Sequence, residues 1–227
     1  MPDRPATPPV PSLAAAMQPH QQGQWLAAEA AYQAIVAAQP DALQALQLLA
    51  VVQMQRGQPS RAVATLQQAL TVDPRHIDLR VNLGAALDAL GRWDEALAQY
   101  DQALAMQPRH LIALTNRSNV LRQLGRAPQA LQSVEQALAA NDAHASAWMA
   151  RGAALLALQR AADALASYDR ALAIQPAHPS AWLGRGRAWM ALGRAADALP
   201  CFERALQLQP NLPDDWLQRG HALQAMS

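Results

Sequence analysis

The chain has 227 residues, with 18 arginines, no lysine and 17 acidic residues, for a formal net charge of +1. So even a balance excludes a broad nucleic-acid-binding face, which needs a clustered positive excess. Cys201 is the single cysteine, which excludes an intrachain disulfide and predicts a buried structural thiol in a reducing compartment.

Taken from its start, the chain opens with "MPDRPATPPVPS", which contains five prolines and no apolar core. It reads as a disordered, proline-rich segment over residues 1–11, and as neither signal peptide nor anchor. Residues 12–227 read as one all-α array, because Ala, Leu and Gln dominate and β-branched runs are missing. The first helix, near Ser12 to Gln22, contains Pro19 and lacks the large residues of later copies, which predicts a kink or fraying. Repeats follow over 9–42, 43–76, 77–110, 111–144, 145–178 and 179–212, with a terminal helix over 213–227 that repeats the first half of a unit. No stretch reaches the length needed to span a bilayer. The expectation is a cytoplasmic protein with no membrane or nucleic-acid partner.

The period is carried by several columns in the same phase. Pro40, Pro74, Pro108, Pro176 and Pro210 fall on a 34-residue grid, with Asp142 in the remaining slot. Ala28, Ala62, Ala96, Ala130, Ala164 and Ala198 form a second column, and Ala69, Ala103, Ala137, Ala171 and Ala205 a third, opened by Ile35. Tyr32, Leu66, Tyr100, Val134, Tyr168 and Phe202 form a column of mostly large residues. Each unit therefore reads as a helix pair. In the fifth, Trp148, Gly152 and Leu155 share one face of the first helix, and Ala164, Leu165, Tyr168, Ala171 and Leu172 form the matching stripe on the second. Small residues at Gly152 and Ala164 allow close backbone approach. Gly57, Gly91, Gly125 and Gly193 stand between the helices, where glycine ends a helix at positive φ, and the grid proline stops the second helix.

These residues resemble the tetratricopeptide repeat, whose pattern combines this period with Trp, Leu-Gly, Tyr, Ala, Phe and Pro. "NLGAALDALGRWDEALAQYDQALAMQP", Asn82 to Pro108, is a close match. The resemblance implies a right-handed α-solenoid of six helix-turn-helix repeats plus a seventh first helix, stabilised by stacking. It also implies a concave groove lined by first helices. The leading repeats, and Asn82 and Asn116 at one repeat position, are similar to the asparagine-bearing repeat region of O-linked N-acetylglucosamine transferases. There, the groove holds substrate proteins by their backbone.

No catalytic motif is present: there is no glycine-rich phosphate loop, no G-x-S-x-G and no H-E-x-x-H. His76, His110, His144 and His178 recur one per repeat, roughly a helix-pair width apart, far beyond ~2 Å metal–nitrogen bonds. No metal, cofactor or enzymatic activity is expected of these residues. The groove is the candidate site. Its first helices place Leu48, Val51 and Met54, then Asn82 and Asp88, then Asn116, Asn119 and Arg122 on the face opposite the packing stripe. Met149 and Leu156, then Arg187 and Met190, continue it. Apolar ends thus flank a polar centre whose amides suit a peptide backbone, and methionines adapt to varied partners. The expected function is a scaffold binding an extended peptide or partner protein. Two other readings stand beside it: the substrate-recruiting arm of a glycosyltransferase or other enzyme whose catalytic domain lies beyond Ser227, and self-association through terminal helices.

One pair of columns varies together. Asp101, Glu135, Asp169 and Glu203 follow the large-residue column, and Arg117, Arg151, Arg185 and Arg219 stand sixteen residues later. In the first two repeats the same positions hold Gln33 and Gln67 with Leu49 and Leu83. Charge answering charge, and leucine answering a neutral neighbour, predicts four inter-repeat ion pairs at partly buried helix contacts.

Overall fold

The computed structural model describes residues 10–210 and 213–225, with the backbone alone for 213–216. The expectations for residues 1–9 and for the Trp216 side chain lie outside the described residues. Among the described residues there are thirteen helices and no strand. They fall into two compact units, residues 1–106 and 107–227. The first holds α1 (Leu13–Gln21), α2 (Trp25–Ala38), α3 (Leu43–Gln55), α4 (Pro59–Val72), α5 (Ile77–Ala89) and α6 (Trp93–Met106). The second holds α7 (Leu111–Gln123), α8 (Ala127–Ala140), α9 (Ala145–Ala157), α10 (Ala161–Ile174), α11 (Pro179–Ala191), α12 (Ala195–Leu208) and α13 (Pro213–Gln224).

Within each unit every helix packs on its neighbours in sequence, so no helix pair has to bury its apolar stripe alone. The alanine columns are the reason the pairs approach so closely. Ala28, Ala62, Ala96, Ala130, Ala164 and Ala198 are all fully buried, as are Ala69, Ala103, Ala137, Ala171 and Ala205. The column of large residues fills the space the small ones leave. Tyr100 lies against Gly84, Tyr168 against Gly152, and Phe202 against Gly186, with ring carbons within 3 Å of where a Cβ on each glycine would stand.

Each turn inside a pair closes the same way. The residue two beyond the first helix's cap donates its N–H five residues back, as from Arg92 to Leu87 (3.0 Å), Arg126 to Leu121 (2.8 Å) and Arg160 to Leu155 (2.9 Å). This closure holds the residue between in the left-handed region. Gly23, Gly57, Gly91, Gly125 and Gly193 occupy it, while Gln159 adopts φ 59° in the same place without being glycine.

Helix α1 runs through Pro19 to Gln21, the register at which α3 and α5 also end, so it does not fray at the proline. Ser12 caps the start by accepting from Ala15 N–H (3.2 Å). The helix is shortened at its beginning instead. A proline this near the end removes only one bond in the ladder.

The recurring histidines sit at helix N-caps. His76 accepts the N–H of Leu79 (3.4 Å) and His110 that of Ala113 (3.2 Å), each through Nδ1. In α9 and α11 a tryptophan ties the same loop down. Trp148 Nε1 donates to the Asp142 carbonyl (2.7 Å), and Trp182 Nε1 to that of Pro176 (2.8 Å).

Candidate peptide-binding faces

In the first unit, α3 and α5 border a cleft of about 230 Å³. Val51 and Met54 come from α3, Asn82 and Ala85 from α5, and the buried Leu66 of α4 lies at its base. Three of the residues expected in the groove are therefore brought together. Leu48 is half-buried and packs on the core formed by Ala16, Tyr32, Ile35 and Leu49. Asp88 is half-buried and already engaged within the protein.

In the second unit the first helices lie side by side, α7 against α9 and α9 against α11. Asn116, Asn119 and Arg122 of α7 are half-buried, and Arg187 of α11 is exposed. The methionines correct the expectation of freely exposed, adaptable side chains. Met149 and Leu156 are half-buried against the core of Leu155, Ala164 and Tyr168, and Met190 packs on Phe202 and Ala222. Their periodic position serves the stacking of repeats as much as the surface.

Between α9 and α11 the ring of Tyr168, from α10, passes Gly152 on one side and Gly184 on the other. It is only 4% exposed, and its hydroxyl forms no hydrogen bond among the described residues. Burial pushes its pKa up to about 12, opposed by the charges of Arg187 and Arg122.

The column pairs meet as expected in the second unit. Arg185 Nε lies 2.7 Å from Asp169, Arg151 3.6 Å from Glu135, and Arg219 3.6 Å from Glu203. Asp101 and Arg117 belong to different units, and their pairing stays an expectation. The carboxylates are about half exposed and the arginines more sheltered, so the burial falls on the cation. Each of two arginines also reaches its own repeat's second helix. Arg151 donates to Ser167 Oγ (2.8 Å) and Arg185 to Cys201 Sγ (3.5 Å). Cys201 is buried, and burial pushes its thiol up against the opposing pull of Arg185.

Sequence reasoning passed over Glu29. It is 2% exposed, paired with Arg56 and with Arg61 (2.8 Å), and takes a hydrogen bond from Gln33 (3.2 Å). The other copies hold Val63, Leu97, Leu131, Leu165 and Leu199 in this column. That lone charge among aliphatics was the signal available.

Stacked helix pairs with a side-chain face of first helices, and no strand among the described residues, define a helical repeat protein. The chain belongs to the tetratricopeptide-repeat family: models of that repeat match residues 54–113, and residues 21–77, 115–179 and 160–213. No curated protein matches closely enough to carry an argument. Among solved structures, a thermophilic tetratricopeptide protein of Thermus thermophilus is 24% identical, covering 81% of this chain and 100% of its own (TM-score 0.72). A tetratricopeptide protein of Parabacteroides merdae is 20% identical, covering 93% and 84% (TM-score 0.77). YrrB, described as having an unusual peptide-binding site, is 18% identical, covering 86% and 98% (TM-score 0.59). These likenesses show the fold.

Proposed function

We propose that the protein is a non-enzymatic scaffold whose first-helix faces bind an extended peptide or a partner segment. The observation that carries this is the α3–α5 cleft, where the apolar walls of Val51 and Met54 meet the Asn82 amide. An amide offers a donor and an acceptor together, as a peptide backbone requires. The family membership and the peptide site of YrrB support the same reading. The alternative, a recruiting arm of a glycosyltransferase, has the shared repeat position of Asn82 and Asn116 for support, but that column continues as Ala150 and Gly184.

The test is a peptide selected on the intact chain from a displayed random library, with affinity then measured by calorimetry. Asn82→Ala, Asn116→Ala and Asn119→Ala together should weaken binding at least tenfold without changing the melting temperature, at roughly 0.5–1.5 kcal/mol for each lost neutral hydrogen bond. Undiminished affinity in the triple variant would overturn the groove assignment.

A further inference from the structure

We propose that the α3–α5 cleft is a socket for one aromatic side chain of the bound peptide, a phenyl ring seated on Leu66 between Ala50 and Asn82. This rests on the scaffold reading and adds the chemistry of the partner. Three repeats further along the chain, the positions of Ala50, Leu66 and Asn82 are held by Gly152, Tyr168 and Gly184. There the second helix fills the interval between two first helices with a ring of its own. Tyr168 passes Gly152 on one side and Gly184 on the other, and is 4% exposed. Tyr100 against Gly84 and Phe202 against Gly186 repeat half of that arrangement. In the second repeat the same column holds an aliphatic residue. A leucine reaches less far than a tyrosine, and the cleft of about 230 Å³ opens above the fully buried Leu66.

Size and lining together select the occupant. A cavity of roughly 150 Å³ is enough to hold benzene, so a phenyl ring fits here with room for its Cβ. A smaller aliphatic group would leave part of the apolar lining without contacts. The walls exclude a charged side chain. Helix α3 carries no charged residue from Leu43 to Gln55, and none of the residues lining the cleft is ionisable. Arg80, the one cation of α5, is turned elsewhere and donates to Gln99 (3.3 Å), Gln102 and the Pro74 carbonyl. A charge entering the cleft would lose water and gain no counter-ion. Val51, Met54, Asn82 and Ala85 are half-buried, so the mouth is reached from solvent. Met54 brings a thioether, which packs favourably on an aromatic ring. The Asn82 amide can hold the peptide backbone beside the seated ring.

The test pans a displayed library of random dodecapeptides on the intact chain, with the recovered peptides then synthesised for calorimetry. They should share one aromatic position. Replacing that residue with alanine should weaken binding roughly tenfold or more, and with leucine roughly threefold, as for an anchor in a desolvated pocket. Ala85→Leu fills the cleft from α5 and should remove the ring's advantage over alanine. Ala50→Gly with Leu66→Tyr fills it from below and should do the same, using the Gly84, Tyr100 and Asn116 combination that the chain already contains. Melting curves report whether each variant folds; Ala85 is half-buried, so its variant carries the test even where the paired core change fails. Ala105→Leu, the same change at an exposed position of α6, should leave the affinity as it is. Recovered peptides with no shared aromatic residue, undiminished affinity after its change to leucine, or a ring whose advantage survives Ala85→Leu would each overturn the socket. Loss of those peptides' affinity in the Asn82, Asn116 and Asn119 triple variant would still uphold the scaffold reading. Recovery of no peptide at all would count against both.

Discussion

The ring of Tyr168 occupies the volume that a side chain at Gly184 would need: a Cβ there would stand within 3 Å of Cδ1, Cε1 and Cζ. Gly184 shares its repeat position with Asn82 and Asn116, and in this repeat the ring leaves no room for a side chain there. Gly184→Ala should destabilise by roughly 1–3 kcal/mol through overpacking, despite the better helix propensity of alanine. Adding Tyr168→Val recreates the Val134 and Ala150 combination of the neighbouring repeat, and should recover much of that loss. Urea denaturation of the four variants in a cycle checks it; additive effects would contradict the contact.

The ion-pair row should have graded coupling energies. Asp169–Arg185, at 2.7 Å, should couple more strongly than Glu135–Arg151 at 3.6 Å. Because the carboxylates are half exposed, each coupling should stay at roughly 0.3–1 kcal/mol. Had the contact been buried around the acid, Arg151→Leu would strand Glu135 away from water. With Glu135 at 52% exposure, the loss comes instead from the Ser167 bond and the arginine stem, about 1 kcal/mol, and adding Glu135→Gln should recover little. Double-mutant cycles measure both points.

Glu29 should show an asymmetry. Arg56→Leu removes one of two cations from a buried carboxylate and should cost roughly 2–4 kcal/mol, because breaking a buried pair leaves charge uncompensated. Glu29→Leu restores the aliphatic residue of the other copies and frees arginines that already reach solvent. It should be neutral or stabilising. Thermal melts of the two variants, with the opposite ranking expected from simple bond counting, decide it.

Gln159 adopts a backbone conformation that costs a residue with a Cβ roughly 1 kcal/mol. Gln159→Gly should therefore raise the melting temperature measurably, whereas Gly125→Gln should lower it. A fall for both would show that the Gln159 side chain contributes more than its backbone costs.

Cys201 should make stability fall at alkaline pH. Burial raises the folded thiol's pKa, so its contribution is fully present below the unfolded value, near 8.5, and is lost as pH rises through the folded value. Cys201→Ser puts in the residue found at Ser133 and Ser167, whose hydroxyls bond carbonyls as the thiol does with Asp197 (3.4 Å). The variant should keep its stability at pH 7 within about 1 kcal/mol and lose this part of the alkaline decline. An unchanged pH profile would assign the decline elsewhere.

The helix pairs and their packing columns were legible because the period lets each position be compared with its counterparts. Ala164 and Tyr168 could be assigned to a shared interface before any coordinate, since Ala96 and Tyr100 repeat their spacing. Departures from a column were harder, for the comparison averages them away. Gln159 takes a glycine's place, and Glu29 a leucine's, without any local motif to announce the left-handed turn or the buried ion pair. The candidate site was half legible. Periodicity placed Asn82, Arg122 and Arg187 on the face proposed for binding, but could not tell which arginines find an acid. That depends on the second helices beneath them, and on a tyrosine ring threading between two glycines. Nor could it foresee that Met149 and Met190 would be held by the core.

Each of the three pairs sixteen residues apart in the second unit keeps its acid in one copy and its arginine in the next. A whole copy therefore carries away one half of two different links when it is cut out. Removing residues 145–178 takes Arg151 and Asp169 together and leaves Glu135 facing Arg185, sixteen residues on in the shortened chain, with Val134 now set against Gly184. The seam closes with matched charge and a small gap in packing. Gene deletion or duplication by whole periods thus keeps the register in this stretch, while a cut of any other length puts the arginine beyond the seam out of step with the acid before it.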